Sequence, residues 1–509
     1  MDPAQPTQQF GITGRGSRSV AVIGGGLAGL AAACALAEAG FRVTLFERRP
    51  YLGGRASSYE HPGTGEVVDN CQHVLFGLCT NLVAFYKEIG IEDKIRWFDD
   101  RTFIEPGGRQ SLLRPSSLPA PLQVMPSFLG FPFLSAYDKL VLGQALSALI
   151  FRQPSDDGTS FQDWLHRHHQ TEAAIERFWK PVLISALSED LDRISVPYAA
   201  QVIRESMKSR EARRMGIPSV PLSDLYRAAK DYICARAGEV RVRAGVQRVD
   251  AYRTGPLIRL SDSEEQFDYG VLAVPFDSLA KILPDISESQ DLREKLSHFE
   301  TAPITGVHLW FDRQITDLPH AVLLNRTIQW MFHKSLLLRG SKQGIQVGKD
   351  GKDKTSVVPQ MPPSVLSSRA ESTDMQSSGN PSYVELVISS SKSLLNKSRQ
   401  EIIDVTLAEL REFFPGAREA KLVKATVIKE VNATFSPTPG IDRYRPASQT
   451  AWPRVFLAGD WTATGWPATM EGAVRSGHIA AEAITKQAGM PRQFLSPDLP
   501  PTGFMRFFK

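Results

Sequence analysis

Cysteine is scarce in this chain: the four among 509 residues, Cys34, Cys71, Cys79 and Cys234, follow neither a metal-ligand spacing nor a disulfide framework. No metal site is expected, and a reducing cytosol is the simplest compartment. Charge of one sign is lacking too. The 59 basic and 55 acidic residues leave a net charge of +4, which gives no nucleic-acid footprint and only a mild attraction to anionic lipid. No uninterrupted apolar run is long enough to span a bilayer. The stretch Pro115 to Tyr137 carries no charge, but Pro115, Pro119, Pro121, Pro126 and Pro132 would free backbone groups that lipid cannot satisfy. Met1 to Gly16 has no apolar core and is rich in Gln, Pro and Gly, so residues 1–17 read as a disordered leader and not a signal peptide. Solenoid-length repeats are absent as well.

What is present is a chain with 42% hydrophobic and 22% charged residues, long enough for two or three domains around a large cofactor. Val20-Ala21-Val22-Ile23 is a short apolar run that ends in the glycine turn Gly24-Gly25-Gly26-Leu27-Ala28-Gly29. An Ala- and Leu-rich helix follows to Gly40, and Arg42 to Glu47 resumes as a strand. This is a βαβ unit with glycines at its first turn. Gly24 permits the turn, Gly26 lets backbone approach a pyrophosphate, and Gly29 lets helix meet strand, while the helix N-terminus offers N–H groups to the anion. Glu47 ends the second strand, where a carboxylate accepts from ribose hydroxyls, and Gly53-Gly54-Arg55 follows.

Regular alternation then lapses until about Pro221, with helices expected at 81–89, 139–152, 160–168 and 197–209. Val240 to Val242 and Gly270 to Pro275 read as strands returning to the first sheet. Thr305 to Phe311, Ile328 to Leu338 and Val384 to Ile388 read as strands of a second sheet, and Arg399 to Phe413 as a helix closed by Pro415-Gly416. Residues 340–381 are Ser-, Pro-, Gly- and Lys-rich and read as a disordered insert. Val455 to Asp460 is a strand running into a polar turn, and Met470 to Ile484 a helix begun by small residues. The expected partition is a nucleotide-binding domain from 18–60, 221–275 and 440–490, a substrate domain from 61–220 and 276–439, and a tail at 491–509.

Taken together, Gly24 to Gly29, Glu47, Gly53-Gly54-Arg55, Ala458-Gly459-Asp460 and Met470-Glu471-Gly472-Ala473 resemble the FAD-dependent amine oxidase and terpenoid desaturase superfamily. The resemblance implies an α/β fold, a Rossmann-like FAD-binding domain (GR2-type) with an inserted α+β substrate domain. It implies FAD as cofactor, with Arg55 at the pyrophosphate, Val246 at the adenine, Asp460 at the ribitol and phosphate, and Met470 presenting backbone to the flavin ring. Leu27, Ala28, Arg48, Gly54, Asn70 and Gly459 complete the implied cofactor contacts. Asp69-Asn70-Cys71-Gln72-His73 resembles the acidic-x-Gly-x-His segment of plant-type carotenoid desaturases and of hydroxysqualene dehydroxylases, with Cys71 where those relatives carry glycine. Phe178-Trp179-Lys180-Pro181, Ala186-Leu187-Ser188 and Gly459 to Thr469 lean toward the dehydroxylase. Amine oxidases themselves typically place a lysine behind the flavin, and Leu296 to His333 contains none; Thr462 to Met470 has no cysteine for covalent attachment.

The reaction this implies is replacement of an allylic hydroxyl of hydroxysqualene by hydrogen through an allylic cation quenched by hydride from reduced flavin. His73 and Asp69 are the candidate proton donors, Glu189 to Arg193 an alternative acidic cluster, and Trp461 and Trp466 candidate aromatic faces for the cation. A substrate this apolar implies access from a bilayer, so Phe128 to Leu134 and Phe504 to Lys509 are candidate surface-dipping elements. The expected partners are a long isoprenoid, a membrane surface and an unidentified electron donor, with the protein peripheral on the inner face of the membrane. Two other readings stay open: a carotenoid desaturase, and a flavin-free prenyl-binding escort protein of the kind that the related GDP dissociation inhibitors resemble.

Overall fold

The computed structural model describes residues 18–152, 154–284, 286–338 and 382–507. The expected leader, the whole of the expected 340–381 insert and the last two residues of the tail lie outside them. Strand β1 (Ser19–Ile23) is buried on both faces, which is why it reads as a continuous apolar run rather than an alternating one. Strand β2 (Arg42–Glu47) pairs with it in parallel, as does Tyr269–Leu272 on the other side. Glu239–Val242 extends the sheet beyond β2, and Val455–Leu457 extends it beyond Tyr269–Leu272. The result is a five-stranded, all-parallel sheet whose strands come from three distant stretches of chain.

Helix α1 (Leu27–Glu38) is buried from Leu27 through Ala37. A helix apolar on every side must be covered on every side. One cover is the sheet; the other is the Met470–Gln487 helix, and there the two backbones come close. A Cβ at Gly477 would lie 2.3 Å from the Ala28 carbonyl oxygen and 2.9 Å from the Ala32 nitrogen. At the other end of α1, a Cβ on Gly29 would fall 1.9 Å from the Gly24 oxygen. Small residues at these two points set the depth at which α1 sits.

The second sheet has seven strands in the order Leu422–Phe435, Thr301–Phe311, Ser382–Ser389, Trp330–His333, His320–Leu323, Arg101–Ile104, Gln110–Leu113. All its pairings are antiparallel except that of His320–Leu323 with Arg101–Ile104. The helices Ala136–Phe151, Phe161–Arg167 and Lys180–Leu187 each pack against Val196–Met207. One expected element differs. The strand read over 328–338 stops at His333, and Lys334–Leu337 turns into a short helix because Lys334 is drawn inward to buried acids. The Arg399–Phe413 helix ends before Pro415 as expected, and Pro415-Gly416 opens a separate helical turn, Pro415–Glu419, since proline is tolerated at a first helical position. The 14-residue Leu422–Phe435 strand has no strong signal in the sequence. It is the sheet's outer strand, and Lys424, Lys429 and Glu430 break its apolar pattern in the manner of strands that must not pair further.

Substituting Gly477→Ala forces the Met470–Gln487 helix away from α1. Overpacking of this kind costs about 1–3 kcal/mol, and a lowered midpoint in urea unfolding, together with loss of bound flavin, is the expected result.

Candidate functional site

The nucleotide crevice forms where β1 runs into α1, with Gly53 bridged to Gly26 at the start of the helix. Gly24 adopts φ +109°, a conformation side chains rarely take, and α1 begins at Gly26 with no side-chain cap and no acid in its first turn. Its first N–H groups are therefore suited to an anion. Gly26 faces Gly54, and a Cβ on Gly26 would meet only the Gly54 Cα, at 3.9 Å. Glu47 lies at the end of β2, its two carboxylate oxygens accepting from the Gly25 and Arg49 N–H groups at 2.7 Å each. Lone pairs remain on both oxygens for ribose hydroxyls. Arg48 is exposed beside the chain that leaves Glu239–Val242, where Ala244 donates to the Glu47 carbonyl at 2.9 Å and Val246 follows.

Arg55 and Asp460, 405 residues apart in sequence, are joined by a 2.7 Å ion pair. Burial works to lower the Arg55 pKa, and the Asp460 carboxylate outweighs it, so the guanidinium is held above its ordinary value. Its other arm donates to the Ala433 carbonyl, and Asn70 donates to the Arg55 carbonyl at 3.2 Å and to Glu430 at 2.9 Å. Gly459 presents φ +150° with the Trp461 ring where a Cβ would be. This glycine cradle and uncapped helix N-terminus fit the pyrophosphate of an adenine dinucleotide.

Asp69 and His73, nominated together as acids, part company. Asp69 does not reach the substrate cavity: one carboxylate oxygen accepts from Ser58 Oγ at 2.5 Å and from the Leu222 N–H at 3.2 Å, the other from Lys334 Nζ at 2.5 Å. Burial works to raise the Asp69 pKa, and the Lys334 ammonium with these hydrogen bonds overrides it and keeps the carboxyl below the carboxylate range. A group so held is ionised and has no proton to give, which corrects its assignment as an acid. Lys334 also donates to Gln72 Oε1 at 2.7 Å and lies 3.5 Å from Glu385. Burial pushes Glu385 up to about 7. His308, opposite Glu385 on the neighbouring strand, is pushed down to about 3 by the same cause.

His73 lines the cavity. Its Nδ1 is 2.7 Å from the Cys71 carbonyl, an acceptor, so Nδ1 carries the hydrogen and Nε2 the lone pair. Burial lowers the His73 pKa further than the Cys71 carbonyl raises it, and the ring is neutral at physiological pH. Cys71 is buried with its thiol pushed well up, and its backbone is not in the left-handed region, so no glycine is required there. The Cys71 thiol is a packing group and not a thiolate.

The cavity has a volume of about 1630 Å³ and a wall built mostly of apolar side chains, Met470, Trp466 and residues of the Ala136–Phe151 helix among its lining. Phe128, Phe131, Phe133 and Leu134 are buried, the rings of Phe131 and Phe133 stacking with centroids 4.7 Å apart. This corrects the expectation that they dip into a membrane: the three phenylalanines wall the cavity. Phe504–Phe507 is a helical turn whose Phe504 N–H bonds the Ala120 carbonyl, not a frayed end. Trp461 is core, donating to the Val274 carbonyl, while the Trp466 ring faces the Arg475 guanidinium at 5.4 Å. Glu189 is buried among Lys392, Ser436 and Arg193, a structural ion cluster.

Lys334 directly follows the lysine-free stretch Leu296 to His333 and was not among the expected site residues. A basic residue directly after an apolar strand, and Glu385 within the apolar run Val384 to Ile388, were the available signals. Because the folded pKa of Glu385 lies above its unfolded value near 4.5, Glu385 disfavours the folded state increasingly from that pH up to about 7 and constantly above it. Glu385→Gln removes this cost. The variant's melting temperature should match the parent's at pH 4.5 and exceed it at pH 8, measured in parallel thermal melts.

Residues 27–485 match the family model described as flavin containing amine oxidoreductase. The 15-cis-phytoene desaturase of Synechococcus elongatus is 26% identical over 486 residues, covering 91% of this chain and 95% of its own. A probable zeta-carotene desaturase from the same organism is also 26% identical, over 91% of this chain and 98% of its own. Among solved structures, an oxidoreductase from Methanosarcina mazei superposes with a TM-score of 0.66 at 16% identity over 90% of this chain and 98% of its own. Wild-type putrescine oxidase bound to putrescine superposes with a TM-score of 0.66 at 17% identity over 92% of this chain and 99% of its own. With a match across nine-tenths of its length and a crevice built for an adenine dinucleotide, the chain belongs to the flavin-containing amine oxidoreductase family and is an FAD-dependent oxidoreductase.

Proposed function

We propose that this enzyme desaturates a long isoprenoid of the carotene type. The observation that carries the reading is the neutral His73 on the wall of an apolar cavity, with Nε2 left to accept a proton. The curated relatives that are phytoene and zeta-carotene desaturases support it. Bound FAD supplies the two-electron acceptor for a hydride leaving an allylic carbon. The phenylalanine wall excludes water, which would otherwise capture the electron-poor carbon skeleton as an alcohol. His73 Nε2 takes the proton from the neighbouring carbon, and the Lys334–Asp69 pair anchors the loop that presents it. Reductive dehydroxylation asks the opposite of these groups: a proton delivered to a departing hydroxyl. Asp69 is ionised, and the single N–H of His73 is committed to Cys71, which weighs for desaturation.

The substrate's route favours a bilayer, because each methylene brought into water costs roughly 0.8 kcal/mol. Met125, Leu129 and Leu140 line the cavity and are exposed, with Leu118, Tyr137, Phe504 and Phe507 among the other exposed apolar residues of the same segments and of the tail. Among the described residues no helix is long and apolar enough to cross a membrane. Peripheral attachment through this rim, on the inner face of the membrane, is our proposal for its location. Leu129→Glu combined with Leu140→Glu should shift the protein from the pellet to the supernatant in liposome sedimentation, whereas unchanged sedimentation contradicts the docking surface.

The reaction is tested with liposomal phytoene, zeta-carotene or hydroxysqualene. Each is incubated with the FAD-loaded protein, either with a quinone acceptor or anaerobically with dithionite. Desaturated carotene in the quinone tubes is the expected product; squalene in the reduced tube alone would replace this reading with dehydroxylation. His73→Ala should retain its flavin absorbance and lose roughly 10² to 10⁴ in turnover, the usual contribution of a positioned proton acceptor.

A further inference from the structure

Two cations stand in the wall of the cavity with no carboxylate in ion-pair contact. Arg101 opens the Arg101–Ile104 strand and is 9% exposed; Arg213 ends the short Glu211–Arg213 turn. Both line the cavity. An Arg101 N–H donates to the Arg213 carbonyl, and the Arg101 guanidinium lies 5.1 Å from the centroid of the Phe76 ring. Arg213 donates to the Met207 sulfur at 3.5 Å. Among the described residues neither guanidinium has a carboxylate within ion-pair distance. The acids nearest in sequence are taken elsewhere: Asp100 pairs with Arg114 at 2.7 Å, and Asp99 and Glu211 with Arg214 at 3.6 and 3.3 Å.

The two acids of the cavity wall are already matched, and Arg152 is exposed to solvent. Glu205 pairs with Lys208, and Glu471 accepts from Asn81, from the Leu82 N–H and from Arg475. Arg177 donates to the Phe133 carbonyl and Lys139 to the Leu129 carbonyl. Burial pushes Arg101 down to about 10 and, with Arg101 adding repulsion, Arg213 down to about 9, values at which both stay charged at neutral pH.

A buried unpaired charge destabilises a fold, and two of like sign do so more. Their sign is also wrong for the chemistry of hydride loss, since a positive wall opposes an electron-poor carbon. What suits two planar guanidinium forks, backed by an otherwise apolar cavity of about 1630 Å³, is an oxyanion on a long hydrocarbon chain.

We propose that Arg101 and Arg213 form a head-group site for a carboxylate-bearing amphiphile, an isoprenoid or fatty acid whose chain fills the cavity. The carboxylate lies between the two guanidiniums and pairs with both. This site does not depend on which bond of a hydrocarbon the enzyme oxidises. Binding and turnover are therefore measured apart, and failure of one leaves the other standing.

The test uses the FAD-loaded protein and titrates oleate and methyl oleate, each delivered from cyclodextrin, by calorimetry. Oleate should bind at least tenfold more tightly than its ester, a ratio that needs no variant to read. Arg101→Met and Arg213→Met should each bring the ratio close to one and raise the melting temperature of the ligand-free protein. Arg214→Met, which removes a cation already paired outside the cavity wall, should leave the ratio unchanged. Equal affinities for acid and ester in the parent, or an acid preference that survives both Arg101→Met and Arg213→Met, would overturn the proposal. Tighter binding of hexadecyl phosphate than of oleate would overturn the assignment of a carboxylate.

Discussion

The Lys334–Asp69 ion pair lies between the two halves of this protein and fixes the loop on which its chemistry depends. Asp69 ends a short strand that leaves the nucleotide domain, and Lys334 follows a strand of the seven-stranded sheet. Both side chains are almost wholly withdrawn from water. Such a pair adds little net stability by itself, but removing one partner strands the other, at about 3–5 kcal/mol. It therefore acts less as an adhesive than as a register mark. The segment Asn70 to His73 can settle in one place only, where Gln72 meets Lys334 and His73 meets the cavity.

From this constraint follows a division of labour between charge and hydrocarbon. The charged groups sit behind the loop: Asp69, Lys334 and Glu385, with His308 neutral among them. In front of it are His73, itself neutral, and the aromatic wall. The loop's backbone keeps these three charged groups apart from the base. The cavity wall carries charged side chains of its own, Arg101 and Arg213 among them.

Much of the nucleotide domain was legible in the sequence because its requirements are local. Gly24, Gly26 and Gly29 declare a turn, a close approach and a helix–strand contact at fixed spacing, and Glu47 follows at the end of the next strand. Asp460 was recognisable from the company of Gly459 and the small-residue helix start, and the structure brings it to Arg55 across 405 residues. The limits were equally physical. Asp69 and His73 stand four residues apart and looked alike as proton donors, yet one meets an ammonium from residue 334 and the other a carbonyl from residue 71. Nothing in the local pattern of residues 69–73 encodes a partner so far along the chain. Phe128 to Leu134 posed a similar problem: an uncharged aromatic run suits a membrane and a cavity wall equally, and only packing distinguishes them.

The central claim is that His73 is a neutral proton acceptor on a dry wall, and the pH dependence of the reductive half-reaction tests it most directly. In anaerobic stopped-flow mixing with micellar phytoene, the rate of flavin bleaching should stay level from pH 8 to about 6.5. It should fall only below that, as protonation removes the Nε2 lone pair. A rate that rises as the solution is acidified would mean that the group at this position donates a proton, and would contradict the account.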